Sequence, residues 1–169
     1  MTEPYAEEDI EKLFNIMGQG LWYLQHLENA VSTFTALKIL QRKKEKGTKV
    51  TEQLGERVLL KQKVQTLGPL ISSAKREKTI PVALAQRFDK FLKERNWLIH
   101  NSVNTDYLAL RSQNNKQELF KRIDAFAEEA IELKKEIYFL LEEWYTEEGY
   151  DIEYAYNLAE QTLRDAEQR

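Results

Sequence analysis

Arg95, Asn96 and His100 stand close together in the stretch KERNWLIHNS, residues 93 to 102. His100 is one of only two histidines in the 169-residue chain. A histidine titrates near neutrality and can move a proton as base or acid. An arginine presents a planar fork of N–H donors that grips phosphate oxygens and stabilises charge added in a transition state. Together they suit attack of an RNA 2′-hydroxyl on its neighbouring phosphate. His100 would transfer the proton, Arg95 would stabilise the crowded phosphorus centre, and no metal is required. The plainer reading is a helix whose polar face happens to carry these residues.

Spacing constrains the geometry. In a regular helix Asn96 and His100 are four apart and share a face. Arg95 points about 140° away from His100 around the axis. One regular helix does not by itself bring both side chains onto one small target. The length of arginine, a helix loosened near its end at Asn101 or a second copy of the chain could do so, and the geometry favours a pocket formed where two protomers meet.

Other chemistry is scarce. The chain has no cysteine, which excludes disulfides and thiolate nucleophiles or metal ligands and suits a reducing compartment. It carries no His-Glu-x-x-His zinc motif, no Walker-type phosphate loop and no dinucleotide fingerprint. The two histidines lack ligand spacing, so neither a metal nor a cofactor is expected. His26, in LWYLQHLENAV, falls beside the apolar stripe of its helix and reads as a surface or interface histidine. Glu128 and Glu129 read as ordinary solvated helix.

The elements that must carry the trio are helical. Three prolines, six glycines and few β-branched clusters argue for helices throughout. A first helix is expected from about Ala6, with Leu13, Ile16 and Met17 inward and a bend or break at Gly18 and Gly20. A second carries Leu24, Leu27, Val31, Phe34 and Leu37 at steps of three and four, and ends near Lys46 before Gly47. Thr51 and Thr66 are placed to cap two short helices. Residues 75–80 read as a polar loop. Pro81 opens a helix to about Asn101, with Leu84, Phe88, Phe91, Leu92 and Leu98 as core.

The stretch NSVNTDYLALRSQNNKQE (101–118), rich in Asn and Ser, reads as a break. A long helix follows from about Lys116 to Tyr145, with the stripe Leu119, Ile123, Phe126, Ala130, Leu133, Ile137, Leu140 and Leu141. An amphipathic helix closes the chain over about 151–166. The sum is one all-α domain spanning residues 1–169, a bundle with short connections.

The net charge of −3 is unevenly spread. Nine basic and three acidic residues lie between Lys38 and Lys63, and nine acidic and two basic between Glu142 and Arg169. An acidic chain can still offer a local positive field to phosphates. Lys43, Lys44 and Lys46 are candidates for contacting RNA, unless they simply solvate a helix end. The N-terminus, Thr-Glu-Pro-Tyr-Ala-Glu-Glu-Asp after Met1, resembles no secretory leader, and no apolar run approaches bilayer length. A soluble cytoplasmic protein without a membrane partner is the expectation.

On these residues the chain resembles the HEPN superfamily. That family's signature is Arg, usually a polar residue such as Asn, three to five further residues and then His, and RNWLIH (95–100) fits it. TLGPLI (66–71), followed by LAQRFDKFLKERNWLIHNS (84–102), resembles a subgroup with a TLG helix before an ERN-x-L-I-H helix. The helical run Gly20–Leu40 resembles that subgroup's second helix. The similarity spans roughly residues 10 to 140.

The resemblance implies an up-and-down helical bundle that dimerises, with the motifs of both chains lining a shared cleft. It implies a metal-independent endoribonuclease in toxin–antitoxin, phage-defence or RNA-processing systems. Arg95 and His100 would then be catalytic and Asn96 orienting or RNA-contacting. Toxins of the family paired with a nucleotidyltransferase antitoxin often carry tyrosine two residues after the histidine. Ser102 stands there in this chain, so the particular antitoxin partner does not carry over. The acidic, Tyr-rich segment of about 150–167 lies outside the resemblance and reads as a packed helix or a partner-docking arm. The alternative is a non-catalytic helical interaction or regulatory module.

Overall fold

The stripe Leu24, Leu27, Val31 and Phe34 is the buried face of a single 39-residue helix, α1 (Glu7–Glu45), in the computed structural model. The structure describes residues 6–100, 109–110, 112–151 and 153. All regular structure among them is helical: α2 (Glu52–Lys63), α3 (Leu67–Arg76), α4 (Val82–His100) and α5 (Gln113–Glu147) complete the set. No helix among the described residues is long and apolar enough to cross a membrane. The expected C-terminal helix and most of the break after Asn101 lie outside the described residues.

The expected interruption at Gly18 and Gly20 does not occur; α1 runs through both. Gly20 is buried, and a Cβ there would meet the Phe126 ring of α5 at 3.4 Å. The glycine is a point of close approach between helices, and that packing holds the helix straight through a residue of poor propensity. At the far end Gly47 has φ +81, and the Gly47 and Thr48 N–H groups donate to Lys44 and Lys43 carbonyls. That left-handed residue closes α1 and turns the chain.

Two other boundaries differ from expectation. Thr51 caps α2 through its hydroxyl, which accepts from the Leu54 N–H at 3.3 Å. Thr66 occupies the same position before α3, but its side chain makes no cap. Helix α3 continues to Arg76 rather than giving way to a loop at residue 75.

Contacts between helices fix their directions. Lys116 of α5 pairs with Asp9 at one end of α1, at 2.7 Å, and the Trp144 indole donates to Gln41 near the other, at 2.9 Å. The two long helices therefore run in the same sense. Helix α3 also follows α1, from Leu67 beside Glu28 to Glu77 beside Arg42. Helix α4 runs against both α1 and α5, with Arg95 beside Glu28, Arg87 beside Glu129 and Glu94 beside Arg122.

The core sits between α1, α3, α4 and α5, around Leu27, Phe34, Leu70, Phe88, Ile123 and Leu133. Phe91 and Phe126 stack at 4.6 Å between ring centres. Leu92 and Leu140, expected inside, are only half-buried. Each fully enclosed Leu, Ile or Phe contributes roughly 1.5–3 kcal/mol. The half-exposed pairs, such as Lys75 with Asp89, contribute roughly 0–1 kcal/mol. The apolar stripes therefore decide the fold, and the ion pairs trim its edges.

Candidate functional site

Leu84, Phe88, Phe91, Arg95 and Leu98 succeed one another at steps of four and three along α4. This is the helix's core-facing line. Arg95 is the one polar residue on it, and its side chain is 17% exposed. Its Nη2 lies 3.8 Å from Glu28 Oε1 on α1, and its Nη1–H donates to Asn96 Oδ1 at 3.3 Å. Its Nε–H is buried without a hydrogen-bond partner. A separation of 3.8 Å is an ion pair but too long for a good hydrogen bond. Among the described residues Arg95 thus has its charge balanced by Glu28 and makes a single side-chain hydrogen bond, to Asn96.

Glu28 was not singled out by the sequence, yet it joins three helices. The Oε1 atom that faces Arg95 also accepts the Leu67 N–H at 3.3 Å. Leu67 is the first residue of α3, where an unsatisfied N–H and the helix dipole both favour a carboxylate. Glu28 therefore does the capping work expected of Thr66. The one sequence signal was positional: a carboxylate one residue after Leu27, at the edge of the α1 stripe.

His100 is the last residue of α4 and is exposed. It shares the outward face with Asn96, also exposed, while Arg95 turns toward α1. The Arg95–Asn96 contact joins two of the three expected site residues. His100 is separated from Arg95 by the turn of the helix, as their spacing requires.

The lysines lie elsewhere. Lys43, Lys44 and Lys46 stand at the C-terminal end of α1, and Lys44 pairs with Glu148 at 3.4 Å. Sixteen residues of helix put Lys44 about 24 Å along the axis from Glu28. Because α4 runs against α1, His100 lies beyond Glu28 in the opposite direction. The basic end of α1 and the histidine do not form one cleft within a chain.

On its other flank α4 borders α5 across a groove of about 370 Å³, lined by Arg87, Lys90, Phe91, Glu94, Arg122 and Phe126 among others. Its two arginines are engaged. Arg122 pairs with Glu94 at 2.7 Å and lies over the Trp97 ring at 3.5 Å. Arg87 grips Glu129 through Nε and Nη2, and that hydrogen bonding holds its pKa above the ordinary arginine value. Glu129, expected to be plain solvated helix, is half of this fork. His26 is exposed, with its ring edge-on to Trp22 at 4.8 Å. No cluster of three or more His, Asp or Glu side chains suited to a metal occurs among the described residues.

No family of known proteins, no curated protein and no solved structure matches the chain.

Proposed function

We propose that this protein is a metal-independent endoribonuclease of the HEPN type, an up-and-down helical bundle acting as a homodimer in the cytoplasm. A toxin–antitoxin or phage-defence system is the setting that such an activity fits, with an antitoxin or other protein as a further partner. The observation that carries the reading is the divergence of Arg95 and His100 on one helix, with Arg95 charge-balanced by Glu28 yet held, among the described residues, by a single side-chain hydrogen bond. A guanidinium held this way can accept a phosphate without first breaking strong bonds. Since one chain turns the two residues apart, the site is completed by His100 of one protomer and Arg95 of the other. His100 takes the 2′-hydroxyl proton or delivers one to the leaving 5′-oxygen, and Arg95 stabilises charge on the phosphorus centre. Asn96 orients Arg95 through the Nη1 contact. Lys43, Lys44 and Lys46 would hold the RNA backbone remote from the reacting phosphate.

A second reading has its own support. Phe14 and Trp22 of α1 stand in solvent, as a helical interaction module would have them. Under that reading Arg95 and Glu28 are a structural pair and nothing more.

The deciding experiment incubates purified protein with mixed cellular RNA in excess chelator, beside His100→Ala and Arg95→Ala. Cleavage by wild type alone, leaving 2′,3′-cyclic phosphates, is the expected result. No cleavage, or equal cleavage by all three proteins, would sink the nuclease and favour the interaction module. Lys43→Gln with Lys46→Gln should weaken RNA binding and flatten its salt dependence while leaving the rate at saturating RNA nearly unchanged.

A further inference from the structure

From Leu13 to Leu27, fifteen consecutive residues carry no Asp, Glu, Lys or Arg, in a chain that is 31% charged. A helical stretch without charge is ordinary when it is enclosed on all sides. This one is not. Its inward face meets α5 at Gly20, but its outward face leaves Phe14 68% and Trp22 60% exposed, with Leu21 at 38%. Phe14, Gly18, Leu21, Trp22 and Gln25 fall within about 100° of one another around the axis. Phe14, Leu21 and Trp22 leave on the order of 300 Å² of apolar surface in water, about the size of the largest such patch on an ordinary monomer.

We propose that this face of α1 binds the same face of a second copy, across a two-fold axis. Charge decides in favour of a second copy over an unlike partner. In a two-fold contact each residue meets the same surface it belongs to, so a charged face repels itself and a neutral one does not. Charge depletion with exposed aromatic residues is also what the centre of an interface requires. Gly18 supplies the close approach: a Cβ there would meet nothing within 4 Å in the single chain. Two antiparallel copies of α1 crossing near residue 20 set each Trp22 over the other chain's Gly18, where no side chain obstructs the indole. The three apolar residues supply somewhat under half of the roughly 800 Å² per partner of a stable interface. Uncharged neighbours such as Asn15 and Gln19 are available for the rest.

The face has the right place in the fold to matter for the site. Because α4 runs against α1 from the Arg95–Glu28 contact, Ile99 reaches the level of Leu24 on α1, and it too is 38% exposed. Ile99 extends the apolar surface to the residue beside His100. A second copy seated on α1 would therefore approach α4 near Ile99, the residue before His100.

The test is the mass of the 169-residue chain in solution, by sedimentation and light scattering, for wild type, Gly18→Glu and Trp22→Glu. Wild type should have twice the 20.0 kDa of one chain. Both variants should be monomeric, with helical circular dichroism unchanged. Gly18→Glu is the cleaner of the two, since the side chain enters open space in the single chain. A wild type that stays monomeric up to about 100 µM, a weak affinity for a self-complementary interface, overturns the proposal. So does a dimer that both substitutions leave intact, which would use another face. The measurement needs no RNA. A chain that dimerises through Gly18 and Trp22 without cutting RNA keeps this interface and loses the nuclease.

Discussion

The guanidinium of Arg95 and the carboxylate of Glu28 face one another at 3.8 Å, on helices that run in opposite directions. The pair is mostly enclosed, and the same carboxylate oxygen receives the first N–H of α3. One side chain therefore ties α1, α3 and α4 together at the level of the Arg95–Asn96 motif. Glu28→Ala leaves a partly buried cation and an orphaned helix N–H. It should cost about 1–3 kcal/mol in chemical denaturation. Glu28→Gln keeps an acceptor for Leu67 but removes the charge opposite Arg95. It should cost less in stability than Glu28→Ala while still lowering RNA cleavage. Equal stability of wild type and Glu28→Ala would mean the pair holds nothing.

If each site takes Arg95 from one protomer and His100 from the other, two dead variants can rescue each other. Arg95→Ala and His100→Ala should each be inactive alone. Refolded together in equal amounts, half of the dimers are mixed, and each mixed dimer carries one intact site. About a quarter of wild-type cleavage should return, a measurable fraction on the usual scale of catalytic loss. Failure of the mixture to recover activity, with subunit exchange verified by mass, would assign the site to a single chain.

Glycine at two positions should respond in opposite ways. Gly55 lies inside α2, and a Cβ there meets nothing within 4 Å. Gly55→Ala should stabilise by about 0.5–1 kcal/mol, through helix propensity alone. At Gly20 even a Cβ touches the Phe126 ring, so Gly20→Leu must push α1 and α5 apart and should cost about 1–3 kcal/mol or more. Urea midpoints read both. A Gly20→Leu protein as stable as wild type would show that the two helices do not need that approach.

Burial first, and then the nearby Tyr150, raise the pKa of the Tyr145 phenol above the ordinary tyrosine value. The folded chain thus holds the neutral phenol more strongly than the unfolded chain does. This contribution is fully present below the unfolded value near pH 10 and fades as pH rises through the folded value. Melting temperature should fall from about pH 10 upward, and Tyr145→Phe should blunt the fall. The tyrosinate absorbance of wild type should lag that of the denatured chain. Parallel pH curves for wild type and Tyr145→Phe would contradict the assignment.

The sequence by itself determined that the described residues are helical and most of those that face inward. Steps of three and four in Leu24, Leu27, Val31 and Phe34, and in Ile123, Phe126, Ala130 and Leu133, reappear as buried stripes, because helical period and burial are local consequences of residue order. The divergence of Arg95 from His100 follows from their spacing alone. Tertiary packing decided the rest. Glycine propensity argued for a break at Gly18 and Gly20, but Phe126 approaches from another helix and the packed helix continues. Thr66 looked like a cap, but Glu28, distant in sequence, supplies the acceptor. Arg95 sits on the core line, and only its neighbours on α1 and α3 establish which charge balances it. Each of these depends on which helices meet and at what level, a relationship that no local pattern encodes.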